Sequence, residues 1–246
     1  MYRRRFRYPL TVPKSLLVDM NPSKSEVVDD QEIEGVIRYR IDFTPAPAPQ
    51  FARIAELNAW RGILYRLGLT GHEPHRYGGL AYGNVSQRME PDSFLISGTQ
   101  TGGQPVLGPE HYCRVTRWNL ADNRIVANGP LPPSSEALTH AAAYAANGHI
   151  RCVLHVHSPE IWSQAERRGT PCIPAGIGYG TPEMAQAVEA LLHSPECRLI
   201  AMLGHRDGLI AVGETPEQAA WVLIRTLAQT RQVQEMRDTE SCLHPQ

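Results

Sequence analysis

The chain has 246 residues, of which 42% are hydrophobic and 20% are charged, and this composition excludes an intrinsically disordered protein. Its net charge is −1 at pH 7, so electrostatics gives no reason to expect nucleic acid or a membrane surface as the main partner. No apolar run approaches the roughly 20 residues that span a membrane, and no apolar segment follows the basic start as in a secretory signal. The 5 cysteines are scattered, which predicts reduced thiols in the cytoplasm.

The first part of the chain is predicted to be an extension, residues 1–50, ahead of a main domain, residues 51–246. Within the extension, residues 35–43 alternate apolar and basic side chains as a strand does, and the Pro-Ala-Pro run that follows predicts a stiff connector. Apolar residues recur at helical spacing over residues 51–67 and predict an amphipathic helix ended by Gly68.

A loop rich in glycine, histidine and proline follows over residues 70–79, and its two histidines, His72 and His75, are interpreted as solvated. Short strands are then predicted over residues 80–88, 93–97, 112–118 and 124–127. The glycine-rich turn at residues 98–103 can direct backbone N–H groups at a phosphate or carboxylate, although such a sequence is more often only a turn.

An alanine-rich helix is predicted to begin near Glu136 and to run to about Asn147. Ser134 or Ser135 is the expected N-cap. Glu136 in the first turn is favoured by the helix dipole, which could by itself explain its presence. His140 lies one turn later on the same face.

An apolar strand ends in a pair of histidines, His155 and His157. Because alternate residues of a strand point to the same face, the two imidazoles project together and can chelate a divalent cation. Paired histidines are also common as half-buried residues that hydrogen-bond to backbone, so the pair alone does not establish a metal site.

The last third of the chain is predicted to contain a short helix over residues 159–167 and two longer helices. The longer helices both begin with Thr-Pro-Glu, at Thr181 and Thr215, and extend to about residues 193 and 233. Between them a strand, a tight turn and a second strand are predicted, with His205 and Asp207 at the bend.

Five motifs, in this order, resemble the class II (metal-dependent) aldolases and their relatives, which include the adducin head domain. The resemblance covers residues 51–233. The motifs are Gly83-Asn84-Val85-Ser86-x-Arg88; Phe94-Leu-Ile-Ser97 with its Thr/Gly turn; Pro133-Ser134-Ser135-Glu136 with His140; His155-Val-His157; and His205 ahead of Gly208-Leu-Ile-Ala211.

The resemblance implies a three-layer α/β/α sandwich around a mainly antiparallel central sheet, assembled as a homotetramer with active sites between subunits. It implies His155, His157 and His205 as ligands of a catalytic Zn²⁺, or of Mn²⁺, Fe²⁺ or Co²⁺. It implies Glu136 as the acid/base, and Tyr179 is the nearest candidate for a tyrosine acid that relatives lend across the subunit interface. The residues implied to hold the substrate's phosphate or carboxylate are Asn84, Thr101, Gly102, Ser134 and Ser135.

Two segments depart from the family pattern. The third ligand is usually followed directly by glycine, whereas this chain has His205-Arg206-Asp207-Gly208. Either His205 keeps the role or Asp207 supplies an oxygen ligand, and the flanking glycines favour His205 because they allow an unusual turn. The turn after Ser97 is longer than in relatives, which leaves open which threonine contacts the anion.

The expected function is a metal-dependent lyase that cleaves a small hydroxylated carbonyl compound, a sugar phosphate or a hydroxy-carbonyl acid. Cleavage next to a carbonyl leaves an enediolate, whose negative charge a divalent cation stabilises. An epimerase or a decarboxylase using the same metal site is the first alternative. A metal-free, adducin-like interaction module is the second, although such a module has no need of Glu136, His155 and His157.

Overall fold

The computed structural model describes residues 35–50, 52 and 54–243, with side chains to residue 236. Residues 1–34 of the predicted extension therefore lie outside the described part of the chain. The strands are β1 (Arg40–Pro45), β2 (Gly71–His72), β3 (Ala81–Tyr82), β4 (Asn84–Glu90), β5 (Ser93–Ser97), β6 (Tyr112–Asn119), β7 (Arg124–Gly129), β8 (Cys152–His157), β9 (Cys172–Ile173), β10 (Leu199–Met202) and β11 (Gly208–Gly213). The helices are α1 (Ala55–Arg66), α2 (Ala137–Ala146), α3 (Pro159–Trp162), α4 (Pro182–Leu192) and α5 (Pro216–Leu243). None of the described helices is long and apolar enough to cross a membrane.

Nine strands form one sheet in the order β1-β7-β6-β5-β4-β8-β11-β10-β9, and β2 pairs with β3 separately. Among the described strands, only the two edge pairs, β1 with β7 and β10 with β9, are parallel. The sheet is therefore mainly antiparallel, as expected. β1 lies within the segment predicted as an extension, and its pairing with β7 places residues 40–45 in the sheet.

The two faces of the sheet carry separate hydrophobic cores. Helices α2 and α4 cover one face, where Val153 of β8 is buried. Helices α1, α3 and α5 cover the other, where Leu154 and Val156 are buried. This alternation is the period of two that a strand imposes, and it places His155 and His157 on the α2/α4 side. The α/β/α sandwich is confirmed.

Several predicted elements hold and several need correction. The structure confirms helix α1 and the strand–turn–strand at β10 and β11. It also confirms the N-caps of the last two long helices, because Thr181 and Thr215 each accept a hydrogen bond from a first-turn N–H. The short helix is only Pro159–Trp162, and α5 runs to Leu243 rather than residue 233. Sequence periodicity predicts such ends poorly, because packing decides how far a helix extends.

The expected N-cap of α2 is wrong. The cap residue is Glu136, without a side-chain cap, and neither Ser134 nor Ser135 fills that role. The reason lies in the preceding chain, which is still extended. The Ser134 N–H donates to the Ser97 carbonyl at 3.3 Å, and Pro133 bridges to Gly98. The two serines are therefore held against the turn after β5, where they face a cleft.

Candidate metal centre and anion cleft

Three buried histidines converge on the α2/α4 side of the sheet. His155 and His157 lie at the end of β8, and His205 lies in the turn between β10 and β11; each is at most 1% exposed. The Nε2 atom of His155 is 3.1 Å from Nε2 of His157 and 3.3 Å from Nε2 of His205. The antiparallel pairing of β8 with β11 brings the turn to the strand end, because Gly208 lies opposite His157.

The spacing of these nitrogens suits a divalent transition metal. Zinc–nitrogen bonds of about 2.0–2.1 Å in a tetrahedron place the ligand nitrogens about 3.3 Å apart. One nitrogen from each ring lies within 4.8 Å of the others, and the described residues offer no other such cluster of three potential ligands. The donor set therefore fits a metal that three imidazoles bind while a coordination position stays open.

The surroundings keep these rings in the form that binds metal. Nδ1 of His155 donates to the Leu209 carbonyl at 3.1 Å, which leaves the lone pair on the Nε2 atom that faces the other rings. Burial, and then the neighbouring His205, lower the pKa of His155 and of His157 well below the usual value. Both imidazoles are thus neutral near pH 7, as metal binding requires.

Asp207, the alternative third ligand, does not belong to this cluster. Its carboxylate accepts a hydrogen bond from the Tyr77 hydroxyl at 2.8 Å and lies 3.6 Å from Arg76. The glycines were expected to supply unusual backbone angles, but the left-handed residue of this turn is Asp207, with φ of 63°. Gly208 is required for space instead, because a Cβ there would lie 2.5 Å from the His205 ring.

A polar cleft lies beside the histidines. Of the residues expected to bind an anion, Asn84, Gly102, Ser134 and Ser135 line it. Asn84 lies directly opposite His155 in the pairing of β4 with β8, so the cleft adjoins the histidine cluster. Only glycine fits at position 102, because a Cβ there would lie 2.2 Å from the Tyr82 carbonyl oxygen.

The fifth expected residue, Thr101, is placed differently. Its hydroxyl donates to the Gly98 carbonyl at 2.7 Å within the turn, whereas Thr99 and Gln100 are among the residues that line the cleft. The turn is fixed from behind by Arg61 of α1, which is 2% exposed and donates to the carbonyls of Thr101, Gly102 and Gln104.

Glu136 follows the two serines and is completely buried at the start of α2. Tyr39 lies next to it, because the Tyr39 hydroxyl donates to the Ser134 carbonyl at 2.7 Å. Burial, followed by the charges of Cys113 and Glu136, raises the pKa of Tyr39 well above its usual value. Glu136 is thus on the histidine side of the sheet, next to the cleft.

Tyr179 lies against His205 of its own chain. Its fully buried ring has its centroid 4.6 Å from that of His205. The Arg38 guanidinium also contacts this ring, at 4.6 Å from the centroid. The sequence could not predict these contacts, because the segment before Thr181 has no periodic pattern that fixes its path.

Sequence reasoning missed four residues around the site, Tyr39, Arg61, Arg76 and Tyr77. Arg61 had a signal, since it lies on the helix face of Leu57 and Leu64, where a charged residue is unexpected. Arg76 and Tyr77 had none, because they lie in a loop and contact residues distant in sequence.

Three comparisons place the chain among known proteins. The family model described as Class II Aldolase and Adducin N-terminal domain matches residues 74–232. A 5-methylthioribulose-1-phosphate/5-deoxyribulose-1-phosphate aldolase of Escherichia coli O45:K1 (strain S88 / ExPEC) is 29% identical over 106 residues. That match covers 37% of this chain and 47% of the relative, about half of its length.

Solved structures share the fold at low sequence identity. The l-fuculose-1-phosphate aldolase of Thermus thermophilus has a TM-score of 0.56 and 22% identity, over 79% of this chain and 99% of that one. YgbL of Escherichia coli, a candidate aldolase/epimerase/decarboxylase, has a TM-score of 0.55 and 17% identity, over 75% and 87%. A sugar-phosphate aldolase of Thermotoga maritima has a TM-score of 0.55 and 14% identity, over 75% and 96%.

Proposed function

The chain belongs to the class II aldolase and adducin family, and from this premise we propose that it is a metal-dependent carbon–carbon lyase acting on a small hydroxylated carbonyl compound. It is an enzyme of the class II aldolase type. The observation that carries the proposed reaction is the convergence of three buried imidazoles, two of them kept neutral by burial.

His155, His157 and His205 would hold the metal, for which Zn²⁺ is the first candidate and Mn²⁺, Fe²⁺ or Co²⁺ the others. When bound, the ion would supply a Lewis acid that offsets negative charge developing on the oxygen atoms of the substrate. Three neutral ligands support this role because they leave the ion its full charge.

The protein's own residues have separate tasks. Glu136 would carry the proton that is exchanged with the substrate, since it is fully buried at the start of α2 and directly follows the cleft-lining Ser134 and Ser135. Asn84, Ser134 and Ser135, with the N–H groups of the turn near Gly102, would hold a phosphate or carboxylate. Tyr179 is the proposed second acid, because it lies in contact with His205.

The substrate class we favour is a ketose 1-phosphate, because the cleft offers hydroxyls and backbone N–H groups next to the proposed metal. Epimerisation or decarboxylation through the same site is the alternative, and it is distinguished by the products. An adducin-like module is disfavoured, since it needs no convergent ligands. The homotetramer and the cytoplasmic location stay predictions.

The test is product release from l-fuculose 1-phosphate and 5-deoxyribulose 1-phosphate by metal-loaded protein. Cleavage yields dihydroxyacetone phosphate and an aldehyde. Glu136→Gln should lower kcat about 10²–10⁴-fold, the usual contribution of a general acid or base, with the metal retained. Glu160→Gln is the matched control, because Glu160 pairs with Arg231 at the surface. Equal rates for the Glu136 variant and the wild type on every cleaved compound would contradict the proposal.

A further inference from the structure

A second group of side chains surrounds the proposed metal ligands and has no place in the function described above. The Tyr77 ring lies edge-on to His157, with centroids 4.6 Å apart at 72°. Tyr82 lies 5.0 Å from Tyr77 and 5.5 Å from His157. The His157 imidazole is therefore enclosed on one side by two aromatic rings.

The hydroxyl of Tyr77 joins this loop to the turn that carries His205. It donates to Oδ2 of Asp207 at 2.8 Å, across 130 positions of the sequence. Asp207 is one of the two residues by which this chain departs from the family pattern of histidine followed by glycine. The Asp207 carbonyl also accepts the Ser158 N–H at 2.9 Å, so the same residue links the turn to the end of β8.

Arg76 balances the charges of this group. Its guanidinium donates to Glu73 at 2.8 Å and to the Tyr77 hydroxyl, and it lies 3.6 Å from the Asp207 carboxylate. The Tyr82 hydroxyl donates to Glu73 at 3.2 Å and closes the network. Asp207 is 7% exposed, so its charge is largely removed from water and requires such a partner.

The backbone supports the same conclusion. Tyr77 and Asp207 have φ of 50° and 63°, in the left-handed region that residues with side chains rarely adopt. Such residues persist where surrounding contacts over-determine them, and they cluster at functional sites. Here the two left-handed residues hold each other through one hydrogen bond.

We propose that Arg76, Tyr77 and Asp207 form a clamp that positions His157 and His205 as metal ligands. This inference rests on the proposed function, because it presumes that the histidines bind metal. Tyr77 acts directly on the His157 ring, and through Asp207 on the turn of His205. The three are positioning residues, since outer contacts that fix the orientation of ligand rings commonly set metal affinity.

The experiment compares Zn²⁺ affinity, measured by competition with a chelator, in the full-length protein. Tyr77→Phe keeps the ring against His157 and removes only the hydroxyl, and it should weaken binding about 10–100-fold. Asp207→Asn should weaken Zn²⁺ binding less than Tyr77→Phe does. The amide oxygen can still accept the hydrogen bond from the tyrosine hydroxyl, and asparagine tolerates left-handed backbone. Bound Co²⁺ should show a changed visible spectrum in Tyr77→Phe, which reports altered ligand geometry.

The matched control is Tyr112→Phe, which loses a hydrogen bond of 3.1 Å to Asn58 outside the metal site. It should bind Zn²⁺ as the wild type does, with the wild-type Co²⁺ spectrum. If Tyr77→Phe binds and absorbs like Tyr112→Phe while the wild type holds metal, the clamp is overturned and the proposed function stands. If the wild type binds no metal, both are overturned.

Thermal unfolding of each metal-free variant shows whether a loss of Zn²⁺ affinity comes from a less stable fold. If the affinity of Tyr77→Phe falls only in proportion to its stability, the clamp is overturned.

Discussion

The buried histidines on the α2/α4 side of the sheet fall into two groups. His155, His157 and His205 direct ring nitrogens at one another, whereas Nδ1 of His140 in α2 bonds to the Ser86 hydroxyl in the core. All four are at most 1% exposed. Burial alone therefore does not mark a candidate metal ligand. The groups differ because only His155, His157 and His205 bring one nitrogen of each ring within 4.8 Å of the others.

The His140 group is a small polar cluster within the hydrophobic core, in which Nε2 of His140 has no hydrogen-bond partner among the described residues. Ser86 Oγ lies 2.6 Å from Nδ1 of His140 and 2.7 Å from the Tyr144 hydroxyl, so it can donate to one and accept from the other. Burial lowers the pKa of His140 to about 3, so this ring too is neutral at pH 7. We expect its role to be structural, because its hydrogen bond is to the core side chain of Ser86.

In the metal-free protein, both groups of histidines should lower the stability of the fold in acid. An unfolded histidine has a pKa of about 6.5, whereas burial lowers the pKa of His140, His155 and His157 in the folded protein. Below pH 6.5 the unfolded chain therefore binds protons that the folded chain does not bind. Stability should fall as the pH falls from about 6.5, by up to roughly 1.4 kcal/mol per pH unit for each histidine.

Urea unfolding of the metal-free protein at several pH values measures this dependence. His140→Gln removes one titrating group and should reduce the slope of unfolding free energy against pH by the contribution of one histidine. The contribution of the acidic residues is the same in the variant and the wild type. An unchanged slope in that variant would show that His140 is protonated in the folded protein, contrary to the comparison.

A smaller effect separates the groups. Ser86→Ala leaves His140 and Tyr144 buried without their shared partner, which should cost about 1–3 kcal/mol of unfolding free energy. Metal content should not change. Ser163→Ala is the matched control, because its hydroxyl is bonded at the exposed surface, and it should stay within about 0.5 kcal/mol of the wild type. Loss of metal in Ser86→Ala would show that the His140 cluster contributes to metal binding, so the two groups would not be separate.

The sequence predicted the histidine pair because a strand's period of two is a local rule that packing confirms at β8. It also predicted the serines, Asn84 and Gly102 near one another, through the family resemblance. The histidine pair depends on regular structure, whereas Gly102 and the serines lie outside strands and helices, where only the resemblance placed them together. The α2 cap failed because Ser134 is held by the strand-like path before it rather than by the helix.

What could not be predicted depends on contacts between loops. Whether His205 or Asp207 joins the cluster is decided by Tyr77 and Arg76, which bind the aspartate from a loop 130 positions away. Composition and periodicity contain no information about that contact. From the sequence, Arg206 and Asp207 therefore appeared only as an insertion into the family's His-Gly pattern, and their contacts could not be predicted.

Elemental analysis of the purified protein beside His155→Ala tests whether His155, His157 and His205 hold a transition metal. We expect about one transition metal per chain in the wild type, as a single three-histidine site requires, and almost none in the variant. Dialysis with Zn²⁺ should restore the metal in the wild type only. A folded wild type that takes up no metal even then, or a His155→Ala variant that keeps it, would show that the three histidines are not a metal site.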